Sequence, residues 1–108
     1  MPNNEMLLQG ILKILDDKKV VDIARFDMPV SSRKLSNSYV IASGTSARHM
    51  QSVADYVYTH LKKGGFFPTV EGNSKSGWML IEASGIEIHL FKPELREYYN
   101  LEELLQAT

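Results

Sequence analysis

Cysteine is absent from the 108 residues. That excludes a disulfide framework, a thiolate zinc site, an iron–sulfur cluster and a catalytic thiol, and makes a reducing compartment the default. No apolar run approaches the roughly 18 residues that span a bilayer. The opening Met-Pro-Asn-Asn-Glu has neither the basic start nor the apolar stretch of a secretion signal, so a cytoplasmic location is expected. An excess of one charge is missing too. Twelve Lys/Arg against thirteen Asp/Glu leave a net charge of -1, which argues against bulk electrostatic binding of nucleic acid. There is no G-x-G-x-x-G fingerprint, internal repeat, low-complexity tract or linker.

What is present is ordinary globular material, 44% hydrophobic and 23% charged. A chain of this size buries roughly two-thirds of its unfolded surface, so one domain over residues 1–108 is the expectation. Charge is unevenly spread. Residues 1–68 hold nine Lys/Arg and six Asp/Glu (+3), residues 69–108 three and seven (-4). An acidic surface in the last part suits a basic protein partner better than a phosphate backbone; the alternative is a solvated face without a role.

Between Glu5 and Asp16, Leu7/Leu8, Ile11/Leu12 and Ile14/Leu15 recur at helical spacing. Val20 to Met28 reads as a strand, closed by Pro29 and a polar loop through Asn37; Ser38 to Ser43 reads as a second strand, apolar enough to be buried on both faces. Gly44-Thr45-Ser46 is a turn that caps a helix carrying Ala47, Met50, Ala54, Val57 and Leu61, ended by Gly64-Gly65 and Pro68. A short strand near Thr69–Glu71 and a loop Gly72–Gly77 follow. In Trp78–Phe91 two apolar runs flank Ser84-Gly85, a dipeptide suited to a two-residue hairpin turn. That register pairs Ala83 with Ile86, Ile81 with Ile88 and Met79 with Leu90 on an aliphatic face. Trp78 with Phe91, Leu80 with His89 and Glu82 with Glu87 form a mixed one. Glu94 to Ala107 reads as one acidic, partly helical tail with Leu101, Leu104 and Leu105 at helical spacing. Five strands and three helices predict an α/β (α+β) fold, a mixed five-stranded sheet flanked by helices.

The chemistry-bearing residues do not assemble into a catalytic motif. His49 and His60 lie eleven residues apart on one helix, about 16 Å along its axis, too far to share an ion. His89 has Glu87 two positions away but no compact zinc spacing. Gly44-Thr45-Ser46-Ala47-Arg48 has Arg where a nucleophile elbow needs its second glycine, and Gly72–Gly77 is followed by Trp78 and a strand instead of the lysine and helix of a phosphate loop. Asp55 stands alone where a nucleotidyl transferase would gather magnesium-binding carboxylates. The Gly44–Ser46 turn is a cap or an anion site; Arg48 is read as a solvated charge.

Three separated stretches resemble one family, the ribosomal silencing factors or Iojap-like proteins. Asn37-Ser-Tyr-Val-Ile-Ala-Ser-Gly-Thr-Ser-Ala-Arg-His49, continued by Ala54-Asp55, resembles its strand–turn–helix signature. Val70-Glu71-Gly72 with Trp78, Gly85, His89 and Phe91 resembles its hairpin signature, and Arg96-Glu-Tyr-Tyr-Asn-Leu-Glu102 its closing motif. Asn37 and Glu82 stand where the family usually has Asp, and Leu105 where a Trp often closes the chain. The resemblance implies a fold similar to that of nucleotidyl transferases without their catalytic carboxylates, and no cofactor. It implies binding to the large ribosomal subunit through ribosomal protein number fourteen, blocking the joining of the small subunit when nutrients are scarce; organelle relatives act in ribosome assembly.

The expected partner-facing residues are Trp78, Leu80, His89 and Phe91 on the mixed hairpin face, with Glu71, Lys75, Arg96 and Tyr99 from the flanking segments. Trp78 has a second reading, as core beneath a terminal helix. Other classes remain beside the steric repressor: a nucleotide-binding or transferase enzyme, and a homodimeric structural module using the hairpin edge or face.

Overall fold

The computed structural model describes residues 4–27 and 38–106. The loop expected from Pro29 to Asn37, and the departure at Asn37, lie outside the described residues. Helix α1 (Asn4–Asp17) buries Leu8, Ile11 and Leu15 along one stripe, and Lys19 at φ 62° turns the chain into strand β1 (Val21–Asp27). Strand β2 (Ser38–Ser43) is buried from Tyr39 onward, as its unbroken apolar sequence predicts. Ser46 then caps helix α2 (Ala47–Lys63), its hydroxyl accepting from the His49 amide at 3.0 Å. The helix turns Met50, Val53, Ala54, Val57 and Leu61 inward and ends at Gly64, with Gly65 left-handed at φ 89°.

Strand β3 (Thr69–Asn73) runs two residues beyond the expected Glu71. Strands β4 (Trp78–Ala83) and β5 (Ile86–Phe91) form the predicted hairpin in the predicted register, Trp78 opposite Phe91 through Ala83 opposite Ile86. Ser84 and Gly85, at φ 52° and 81°, supply the two positive torsions that a type I′ turn requires.

The sheet order is β1-β2-β5-β4-β3, with β2 and β5 parallel and the other neighbours antiparallel. This is the mixed five-stranded α+β sheet expected. Helices α1 and α2 cover one face, where Val40, Ala42, Met79, Ile81, Ala83, Ile86, Ile88 and Leu90 form the main core. Each fully buried aliphatic side chain there contributes about 1.5–3 kcal/mol.

The tail differs from the expectation. It is two helices, α3 (Pro93–Tyr99) and α4 (Leu101–Gln106), giving four helices among the described residues, because Asn100 at φ 46°, ψ 49° breaks the run. Asparagine tolerates this left-handed conformation better than most residues. The break turns Leu105 onto Tyr39, Ile41 and Phe91 as a second, smaller core and leaves Leu104 exposed. Among the described residues, α1 and α2 thus cover one face of the sheet, and α3 and α4 cover one end of the other.

Candidate functional site

The partly covered face is built by alternation. On β4, Trp78, Leu80 and Glu82 point away from the main core and are half-buried, whereas Met79, Ile81 and Ala83 are buried. Register places Glu71 of β3 beside Leu80, and Asn73 beside Trp78. The β3–β4 turn is held by Asn73, whose side-chain oxygen accepts from the Ser76 amide at 2.8 Å. Gly77, at φ 85°, is buried against α3, where a Cβ would stand 2.5 Å from the Leu95 side chain. Its carbonyl accepts from the Lys92 amide at 2.8 Å, fixing the start of α3 beside the turn.

Between this turn, β4 and α3 lies an open cleft of about 330 Å³ lined by Glu71, Gly72, Ser76, Trp78, Leu80, Leu95 and Tyr99. Its wall is aromatic. The Trp78 ring stacks on Phe91 at 4.9 Å and lies 4.8 Å from Tyr99. Indole Nε1–H donates to His89 Nδ1 at 3.1 Å, and His89 Nε2–H faces Glu87 Oε1 at 2.9 Å. An indole nitrogen can only donate, so Nδ1 holds its lone pair and His89 is neutral with its proton on Nε2. Burial pushes the imidazole below its ordinary 6.5, against the opposing pull of the Glu87 carboxylate.

Of the residues anticipated from sequence, Trp78, Leu80, Glu71 and Tyr99 come together at the cleft. His89, 4% exposed, and Phe91, 0%, share that face but are buried, Phe91 stacked on the indole and His89 hydrogen-bonded to it. Lys75 is elsewhere: it borders a second hollow with Arg48, Gln51, Asp55 and Tyr56. Arg96 is turned inward, donating through Nε and Nη2 to Glu102 at 2.8 and 3.3 Å and through Nη1 to the Ser43 hydroxyl at 2.9 Å. Leu95 and Tyr99 of α3 pack against one side of the Trp78 ring and leave it half-buried, neither sealed in the core nor fully exposed. Leu95, Gly72 and Ser76 line the cleft without having been anticipated. Their only sequence signal was proximity to Trp78 and to the Pro93 helix start.

At the Gly44–Ser46 turn the polar groups are spent locally. Ser46 caps α2, and His49 Nδ1 accepts from the Thr45 amide at 3.0 Å while its Nε2 meets the Lys18 carbonyl at 2.6 Å. Asp55 accepts from Gln51 at 3.0 Å. Among the described residues no three His, Cys, Asp or Glu side chains converge as a metal ion would need, and no helix is long and apolar enough to cross a membrane.

Comparison with known proteins follows the same lines. A crystal structure of a Chromobacterium violaceum protein superposes with a TM-score of 0.86 at 27% identity, covering 94% of this chain and 85% of that one. The ribosomal silencing factor RsfS of Zymomonas mobilis is 37% identical over 101 residues, 93% of this chain and 75% of its own. Mouse "mitochondrial assembly of ribosomal large subunit protein 1" is 33% identical over 98 residues, 87% of this chain but 42% of its own. The family model described as "ribosomal silencing factor during starvation" matches residues 2–108. With a family model that matches nearly the whole chain and a fold that superposes on a solved neighbour, the chain belongs to the ribosomal silencing factor family.

Proposed function

We propose that this protein is a cytoplasmic translation repressor that binds the large ribosomal subunit through ribosomal protein number fourteen and sterically blocks joining of the small subunit. The observation that carries the reading is the cleft of Trp78, Leu80, Leu95 and Tyr99 rimmed by Glu71. It joins a rigid aromatic anchor to an acidic segment, the combination that lets a small interface hold a basic protein. The name of the mouse relative supports the large subunit as the partner. Trp78, Leu80, Glu71 and Tyr99 make the contact; His89, Phe91 and Arg96 hold them in place; Lys75 reaches the partner from the neighbouring turn.

The action is steric and non-catalytic, with residues 1–108 acting as one domain and without a cofactor. Occupying a joining surface requires shape and affinity, and Ser46 is engaged in capping α2, Thr45 with His49 and Asp55 with Gln51. The test is co-sedimentation with isolated large subunits, followed by a gradient assay of subunit joining. Saturable binding with loss of joined ribosomes is expected. Equal affinity for bare ribosomal RNA, or a stable homodimer by light scattering without subunit affinity, overturns the reading.

A further inference from the structure

We propose that His89 is the positioning residue of the cleft: its unprotonated Nδ1 holds the Trp78 indole as the cleft wall, and the cleft keeps its docking form only while His89 is neutral. The docking half rests on the function proposed above.

The geometry leaves His89 one arrangement. His89 is 4% exposed and lies among three rings, near-parallel to Tyr39 at 6.5 Å and Phe91 at 6.2 Å, with Trp78 tilted at 6.0 Å. Both nitrogens are engaged, Nδ1 as acceptor from Trp78 and Nε2 as donor to Glu87. A second proton would go on Nδ1 and set two N–H donors against each other across 3.1 Å. One must move. His89 is buried and hydrogen-bonded to Glu87, whereas Trp78 is half-exposed at the cleft, so the indole yields.

The groups around the imidazole pull in different directions. Glu87 on β5 favours the protonated ring, and Glu82 of β4 stands opposite Glu87 across the hairpin. Tyr39 of β2 stacks against the ring, Tyr99 of α3 lies behind Trp78, and Glu71 of β3 sits across Leu80. Burial outweighs the carboxylates and keeps the ring neutral at neutral pH.

Trp78 is the only tryptophan, so the fluorescence of the intact chain reports on this contact alone. We expect its emission to titrate as pH falls, with a midpoint below the ordinary histidine value and unchanged far-ultraviolet circular dichroism. Binding to isolated large subunits should weaken about tenfold over the same range. His89→Gln should abolish the titration and make binding independent of pH. Should that buried variant not fold, Glu87→Gln decides: loss of the carboxylate should move the midpoint to lower pH. Flat emission in the unmodified protein, titration surviving in His89→Gln, an unmoved midpoint in Glu87→Gln, or a parallel loss of secondary structure overturns the proposal. Titrating emission with constant affinity overturns its docking half. Failure to bind subunits at any pH removes the proposed function, while the emission still decides whether His89 positions Trp78.

Discussion

Arg96 Nη1 lies 2.9 Å from the Ser43 hydroxyl, so a side chain of α3 is bonded to the end of β2. The same guanidinium grips Glu102 through two nitrogens and thereby also holds the start of α4. Arg96→Ala should therefore loosen both terminal helices at once. We expect a loss of about 2 kcal/mol in chemical denaturation, from a charge pair broken in a partly buried setting. Arg96→Lys should recover little, because an ammonium cannot reproduce the two-nitrogen grip. Full recovery by lysine would show that charge alone matters there.

Trp78→Ala should cost on two separate scales. Being half-buried against Phe91 and Tyr99, the ring contributes about 2 kcal/mol to folding, less than a fully buried aromatic. As the cleft wall it should also cost about thirtyfold in affinity for large subunits. Thermal melting and subunit binding of this one variant separate the two. Normal binding at low temperature by a destabilised protein removes Trp78 from the contact.

Gly77→Ala should destabilise by about 1–3 kcal/mol, since φ 85° is unfavourable for alanine and the new methyl would press on Leu95 and Lys92. The damage should spread to α3 and appear as altered Trp78 fluorescence. Gly65→Ala carries a similar torsion, φ 89°, but has open space around it, and serves as the control for backbone strain without a clash.

Stability should fall on acidification in two windows. Arg25, followed by Gln9, hydrogen-bonds Glu5 and holds its carboxyl down to about 2. A carboxyl depressed in the folded state stabilises above its ordinary 4.5, and that contribution is lost as pH drops from there toward about 2. His89 is likewise depressed, by burial, so its contribution is complete above 6.5 and declines as pH falls below it toward the folded value. Glu5→Gln should flatten the lower window only, seen as a denaturation midpoint less dependent on pH there than in the parent chain.

The hairpin was fully legible in the sequence, down to residue pairs, because a two-residue turn leaves one register and alternation then assigns both faces. The β1 irregularity was not: Asp22 at φ 54° shifts the register between Val21 and Ala24, and no local residue type signals it. In the tail, Leu101, Leu104 and Leu105 keep helical spacing and predict one helix, whereas the break depends on Asn100 adopting a left-handed torsion to bring Leu105 onto Phe91. The cleft was half visible. Which side chains share a face follows from register; that Trp78 reaches diagonally to His89, or that Arg96 turns toward Ser43, depends on packing between segments distant in sequence.

The parallel pairing of β2 with β5 also sets an order of events during synthesis. Residues 38–43 wait for residues 86–91 before the middle of the sheet exists, and until then the stripes of α1 and α2 have no completed surface to cover. Such non-local pairing is slow, and its apolar parts remain exposed meanwhile. In a nascent chain of this protein the middle of the sheet therefore cannot close until Phe91 has emerged from the ribosome that makes it.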